Sequence, residues 1–283
     1  MPQEFDQQIS LEFFPAKTEA GRQKLVTETL PELAALAPSY CSVTYGAGGS
    51  TRDTTRDTVL GLQSAGATVA PHLSFGADDE ATILALLQSY RDMGVERLLA
   101  LRGDLPSGMG TGQLVYANEL VAFIREHTGD HFHISVAAYP EIHPQAVSYD
   151  KDIAYLKQKL DAGADAAVTQ FFFNVEAYFY FLDRCAAAGI TQPIHPGIMP
   201  IINFANLERF AASCGAEIPR WIRTRMTGFG DDEESKRSFG VDVVTQLCAT
   251  LMESGAPGIH FYTMNQSAPT LAIAKNLGLG TSH

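Results

Sequence analysis

Short apolar segments rich in β-branched and aromatic residues alternate along this chain with longer stretches whose apolar positions recur at helical spacing. That alternation is the signature of successive βα units. Strands are expected over about 9–14, 40–44, 68–73, 97–101, 133–138, 166–170, 194–198 and 258–261. Helices are expected over about 19–36, 51–64, 79–93, 116–127, 149–162, 175–188, 232–253 and 268–277, with one or two more between 203 and 226. Pro15 ends the first strand, and Asp78 is the expected N-cap of the third helix. Gly163 and Gly189 are natural stops for the helices before them. Eight strands alternating with helices predict an α/β fold, a closed (β/α)8 TIM barrel spanning 1–283 as a single domain. The 283 residues suit a barrel of about 250. An open doubly wound sheet would favour a G-x-G-x-x-G turn after the first strand. Here the turn reads Phe14-Pro15-Ala16-Lys17. No composition shift, linker, repeat or low-complexity segment interrupts the pattern.

In a barrel the active site lies where the strands end, at the C-terminal face. Strand one ends Leu11-Glu12-Phe13-Phe14-Pro15. Glu12 lies between apolar neighbours, and burial would disfavour its charged form and ready it to deliver a proton. An ion pair with Lys or Arg is the equally weighted structural reading. Glycines 46, 48 and 49 after strand two could bring backbone N–H groups to an anion, though such glycines more often only make a tight turn. His72 after strand three could bond a ligand, but satisfying a backbone group is the more common role. Strand four ends Leu101-Arg102-Gly103-Asp104-Leu105-Pro106. Arg102 and Asp104 could pair with each other, yet the Pro/Gly-rich loop that follows favours a ligand site.

Tyr139 and His143 after strand five offer an aromatic surface with hydrogen bonds. Glu141 with His143 is too small a set to argue for a metal. Asp152, Tyr155 and Lys159 share one helix face by i,i+3 and i,i+4 steps, either a site wall or a solvated face. Gln170 precedes three aromatics, Phe171-Phe172-Phe173, that are more often core. Strand eight ends His260-Phe261-Tyr262-Thr263-Met264-Asn265. A large, aromatic-lined, hydrogen-bonding site of this kind suits a planar cofactor and a planar substrate.

Composition narrows the partners. The chain is 46% hydrophobic and 18% charged, with 32 acidic residues against 20 basic ones and a net charge of −12. That balance, without a Lys/Arg run, disfavours nucleic acid and anionic membranes. Cys41, Cys185, Cys214 and Cys248 are far apart with no C-x-x-C pair, so neither a disulfide framework nor a zinc site is expected, and a cytoplasmic location is. No apolar run nears the ~20 residues of a membrane span, and residues 1–8 do not read as a signal peptide.

The ordered strand ends resemble those of the methylenetetrahydrofolate reductase family. The matching segments are Leu11–Pro15, Ser42–Ala47, Ala70–Leu73, Leu101–Pro106, Ser135–Glu141, Thr169–Phe173, Pro196–Pro200 and His260–Asn265. The resemblance implies a (β/α)8 barrel holding FAD non-covalently. It implies hydride transfer from NADH or NADPH to FAD and then to 5,10-methylenetetrahydrofolate, giving 5-methyltetrahydrofolate for methionine synthesis. Two half-reactions in turn imply ping-pong kinetics, and relatives imply a homo-oligomer. By the same resemblance, Glu12 is the general acid that opens the folate's imidazolidine ring. Asp104 lies near flavin and pterin, Gln170 bonds folate, and Phe210 packs on folate or nicotinamide. Tyr262 and Gln266 belong to the folate side. Thr44, His72, Arg102, Gly103, Asp104, Tyr116, Ala117, Tyr139, His143, Asp152 and Lys159 match FAD contacts; no metal is implied.

Three positions depart from the pattern. Gln266 stands where members of the family often carry an Arg that reaches the folate tail. Gln158 and Tyr155 stand where relatives have Arg and Asn. The chain also stops soon after the barrel, from which no inhibition by S-adenosylmethionine is expected. The competing classes are a non-redox lyase or pterin-dependent methyltransferase using Glu12 and Asp104, and a protein that binds FAD or folate without turnover.

Overall fold

The computed structural model describes residues 8–45, 52–75, 78–102 and 116–280. Its strands are β1 (Gln8–Phe13), β2 (Tyr40–Val43), β3 (Val69–Leu73), β4 (Arg97–Ala100), β5 (His133–Ala138), β6 (Ala166–Thr169), β7 (Ile194–His195), β8 (Gly197–Ile198) and β9 (Gly258–Tyr262). All pair in parallel, in the order β7-β6-β5-β4-β3-β2-β1-β9-β8. The expected strand over 194–198 is present as two halves. Pro196 has no N–H to give to a ladder, so the strand breaks there. β7 pairs with β6 and β8 with β9. The two ends of the order therefore meet in one broken strand, and the barrel closes as expected.

Helices between the strands cover the barrel. They are α1 (Glu19–Lys24), α2 (Leu30–Leu33), α3 (Arg52–Ser64), α4 (Glu80–Asp92), α5 (Ala117–Thr128), α6 (Tyr149–Asp161), α7 (Val175–Ala187), α8 (Phe204–Cys214), α9 (Arg220–Gly228), α10 (Glu233–Glu253) and α11 (Ser267–Asn276). Their apolar stripes pack on the strands; in α4, Ile83, Leu86, Leu87 and Tyr90 recur at helical spacing and are all buried.

The expected helix over 19–36 is one run of changing pitch. A π turn over Leu25–Thr29 separates α1 from α2, just ahead of Pro31, whose ring cannot donate the regular i→i−4 bond. The N-cap of α4 is Asp79, not Asp78: Asp79 Oδ1 accepts from the Thr82 amide at 2.9 Å, while Asp78 Oδ2 accepts from the Tyr45 hydroxyl at 3.2 Å. Gly163 and Gly189 take positive φ after α6 and α7, as expected. Among the described residues no helix is long and apolar enough to cross a membrane.

Candidate active site at the barrel mouth

Parallel pairing brings every strand's C-terminal end to one rim. At that rim Glu12, on β1, lies opposite Tyr262 of β9 in register, and Ser10 lies opposite His260. Side chains two apart on a strand share a face, so Ser10 and Glu12 point into the barrel together with His260 and Tyr262. Glu12 Oε2 lies 3.4 Å from His260 Nε2 and 3.3 Å from His72 Nε2. His260 Nδ1 is 2.7 Å from the Ser10 hydroxyl. A His260 tautomer that donates from Nε2 to Glu12 and accepts from Ser10 at Nδ1 satisfies all three groups. His72 Nε2 is buried without an aligned hydrogen bond, Glu12 being its near neighbour.

The Glu12 side chain is only 12% exposed and the His260 side chain is wholly buried. Burial, the largest influence, pushes the Glu12 carboxyl up. The charge of His72, the bond from His260 and the closeness of the His72 ring outweigh it together and hold it down to about 2. This corrects the reading from Phe13 and Phe14. Phe13 is fully buried on the opposite face of β1, and Phe14 is 42% exposed beyond the strand. Neighbours in sequence are not neighbours in space on a strand; the groups around Glu12 come from β3 and β9.

The backbone around Glu12 is fastened from β9. The Thr263 hydroxyl donates to the Glu12 carbonyl at 2.6 Å. Asn265 accepts from the Phe14 amide at 2.8 Å and donates to the Phe14 carbonyl at 3.0 Å. Met264 and Asn265 reach these positions in the left-handed region, at φ 54° and 56°. Tyr262 donates its hydroxyl to the Thr169 carbonyl at 2.6 Å, and burial raises that phenol well above its ordinary value. Gly197 makes room for this contact: a Cβ there would lie 2.1 Å from the Thr169 carbonyl oxygen and 2.7 Å from the Tyr262 hydroxyl.

The opposite side of the rim is built from β5 and α6. The Tyr139 and His143 rings meet edge to face at 4.5 Å. Asp152 accepts from the His143 amide at 2.8 Å, and burial raises its carboxyl despite that bond. Lys159 donates to the Ala137 carbonyl. Burial brings its ammonium down to about 8, with Asp152 opposing the shift only in part. Asp152 and Lys159 thus turn toward β5, while Tyr155 is 50% exposed. Arg102, past β4, donates to Gln145. Thr44, past β2, donates its amide to the Phe13 carbonyl at 3.0 Å. Tyr116 and Ala117 open α5, with Tyr116 exposed.

Gln170 accepts from the Phe171 amide at 3.0 Å, and Phe171, Phe172 and Phe173 are buried as core. Phe210 lies exposed on α8. Gln266, at the start of α11, makes no side-chain cap bond. Gly103, Asp104 and the glycines after β2 lie outside the described residues. Among the described residues no three His, Cys, Asp or Glu side chains gather as metal ligands.

The family model for methylenetetrahydrofolate reductase matches residues 1–278. The chain belongs to the methylenetetrahydrofolate reductase family. It is 39% identical to the 5,10-methylenetetrahydrofolate reductase of Escherichia coli over 96% of this chain and 90% of that one. It is 38% identical to methylenetetrahydrofolate reductase (NADH) 1 of Zea mays over 96% of this chain, which spans 48% of the maize protein. In structure it is similar to an uncharacterized Clostridium thermocellum protein that binds two copies of 5-methyl-5,6,7,8-tetrahydrofolic acid. The TM-score is 0.69 at 17% identity, over 97% of this chain and 93% of that one, a likeness of fold.

Of the residues singled out from sequence, the structure brings Glu12, His72 and Tyr262 to one side of the mouth and Tyr139, His143, Asp152 and Lys159 to the other. Ser10 and His260 had no role assigned from sequence. Their signal was present: each stands two residues before a singled-out residue, Glu12 or Tyr262, on a strand of period two.

Proposed function

We propose that this protein reduces 5,10-methylenetetrahydrofolate to 5-methyltetrahydrofolate with NADH or NADPH, through non-covalently held FAD. The observation that carries the reading is Glu12, a carboxylate near-buried between two imidazoles at the barrel mouth of a chain in this family. When bound, FAD supplies hydride chemistry, accepting hydride from the nicotinamide and passing it to the one-carbon unit.

The residues of the β5 side fit such a group. Lys159 is a buried ammonium only partly offset by Asp152, a charge that a phosphate would balance. Arg102 adds a second cation, and Tyr139 with His143 adds aromatic rings for a planar group to pack against. On the β1 side, opening the imidazolidine ring breaks the bond from the one-carbon unit to N10, places a proton on N10 and leaves an N5 iminium. Hydride addition to that carbon completes the methyl group. Glu12, His72 and His260 together hold the proton this step needs; the cluster, rather than an isolated carboxyl, is the acid. Gln170, Phe210, Tyr262 and Gln266 are read as the folate side, with the Tyr262 ring rather than its committed hydroxyl facing the ligand. The reading extends to a cytoplasmic enzyme that supplies methyl groups for methionine synthesis and assembles from like chains, which sedimentation velocity tests.

An anaerobic visible spectrum tests the reaction. The flavin band should bleach with NADH or NADPH and return on adding methylenetetrahydrofolate. Bleaching without return would remove the folate assignment, and no flavin band after incubation with FAD would remove the flavoenzyme.

A further inference from the structure

The loop after β5, which carries Tyr139 and His143, meets the C-terminal end of α8, which carries Phe210. Glu141 Oε2 accepts from the Glu217 amide at 2.8 Å across that seam. Gly215, the left-handed C-cap of α8 at φ 77°, packs so closely on the loop that a Cβ there would lie 3.0 Å from Pro144 Cγ and 3.7 Å from the Ile142 carbonyl oxygen. Ile142 itself is held at φ 72°, a conformation that is strained for a branched residue and persists only where surrounding contacts fix it. The other oxygen of Glu141, Oε1, is buried with no hydrogen-bond partner.

A carboxyl left half-satisfied inside a seam is costly for packing alone. What it supplies is an acceptor for one backbone amide, two residues beyond the helix cap, where the chain turns toward α9. The groups that face it from the elements packed against it are Glu217 of the turn and Cys214 of α8. Burial brings the Glu141 carboxyl up to about 7, the Glu217 amide bond opposes this, and the Glu217 carboxylate adds to it. The Cys214 thiol is itself raised by burial.

We propose that Glu141 is a positioning residue that fastens the C-terminal end of α8, and Phe210 with it, to the loop bearing Tyr139 and His143. The helix bearing Phe210 and the loop bearing Tyr139 and His143 are thereby held in one geometry. The consequence for substrate rests on the reading of Phe210 given above; the fastening does not.

The two are separable because Trp221, the only tryptophan of the chain, stands exposed on α9 just past the seam, edge-on to Phe239. In the FAD-loaded protein, Glu141→Ala should shift Trp221 emission and raise KM for methylenetetrahydrofolate by about tenfold, the worth of one hydrogen bond to the backbone, with kcat changed less than about threefold. Glu141→Gln keeps the acceptor oxygen and should restore KM to within about twofold. Trp221 emission of the wild-type protein should change as pH passes about 7, and Glu141→Gln should remove that change. Phe210→Ala should raise KM, and adding Glu141→Ala to it should raise KM no further. Unchanged Trp221 emission in Glu141→Ala would overturn the fastening. Additive KM effects in the double variant would overturn the route through Phe210. A shifted emission with KM untouched by Phe210→Ala would remove the substrate reading of Phe210 and leave the fastening in place.

Discussion

The two sides of the barrel mouth treat a buried charge in opposite ways. On the β1 side the carboxylate of Glu12 is surrounded by partners, two imidazoles from β3 and β9, and its ionised form is favoured to about 2. On the β5 side the ammonium of Lys159 is buried with one carbonyl bond and a partial counter-charge, and its ionised form is disfavoured to about 8. A charge whose partners are already in place can hold and release a proton without rearrangement. A charge short of partners is a place for something else to bind. The same rim thus separates a buried carboxylate with its partners in place from a buried ammonium short of them, and the strand register keeps them on opposite sides of one opening.

The largest effect should come from breaking the complete side. Glu12→Gln keeps the shape but removes the carboxylate through which the cluster holds its proton, so the folate half-reaction should slow by about 10²–10⁴-fold. Reduction of FAD by nicotinamide, which draws no proton from Glu12, should change little. Stopped-flow traces of the two half-reactions read this directly; an equal loss in both would mean that Glu12 supports the fold of the mouth rather than the chemistry. The pH dependence has a defined sign. A carboxyl lowered on folding contributes stability above its ordinary value of 4.5 that is lost as pH falls toward about 2. Glu12→Gln should flatten that acid limb of a plot of Tm against pH.

A smaller effect should come from the incomplete side. Lys159→Met removes a buried cation but keeps its apolar stem. The FAD-free protein should become more stable, since the cost of burying the charge disappears, while FAD affinity should fall by about 10–100-fold, the worth of one charged phosphate contact. An ammonium lowered on folding depresses stability below about 8 and stops doing so as pH rises toward 10.5. Wild-type Tm without FAD should therefore climb across that window, FAD affinity should weaken across it, and neither slope should survive in Lys159→Met. A variant that lost stability and kept its FAD affinity would make Lys159 a structural donor to Ala137 and nothing more.

What could be read from sequence follows the same division. Strand and helix positions were legible because period-two and helical apolar spacing survive burial; β5 runs 133–138 in both readings. The break at Pro196 was legible in principle, since proline cannot donate, but a two-sided barrel strand hides it until pairing is known. Glu12 and Lys159 were found as chemical groups, yet their charge states were not. Glu12 looked apolar from Phe13 and Phe14, when its surroundings come from residues 60 and 248 positions away. Lys159 was one of three residues on a helix face, and only packing on β5 parts it from exposed Tyr155. Long-range pairing decides electrostatics, and a single sequence carries it only through the register of distant strands.

The smallest effect tests whether the completeness of the Glu12 side extends to its backbone. Asn265 holds both polar groups of the Phe14 backbone, and Thr263 holds the Glu12 carbonyl from the same turn. Asn265→Ala removes the clasp and also places alanine at φ 56°, so it should cost about 1–3 kcal/mol in stability from two causes together. Asn265→Gly removes the clasp but tolerates the backbone, so it should cost less. If the clasp sets the direction of Glu12, both variants should slow the folate half-reaction by the same few-fold factor, about 3–10-fold for a small misplacement of a catalytic group, although their Tm values differ. If turnover instead follows Tm, the clasp serves stability alone, and the placement of Glu12 belongs to the β1–β9 register and the two imidazoles.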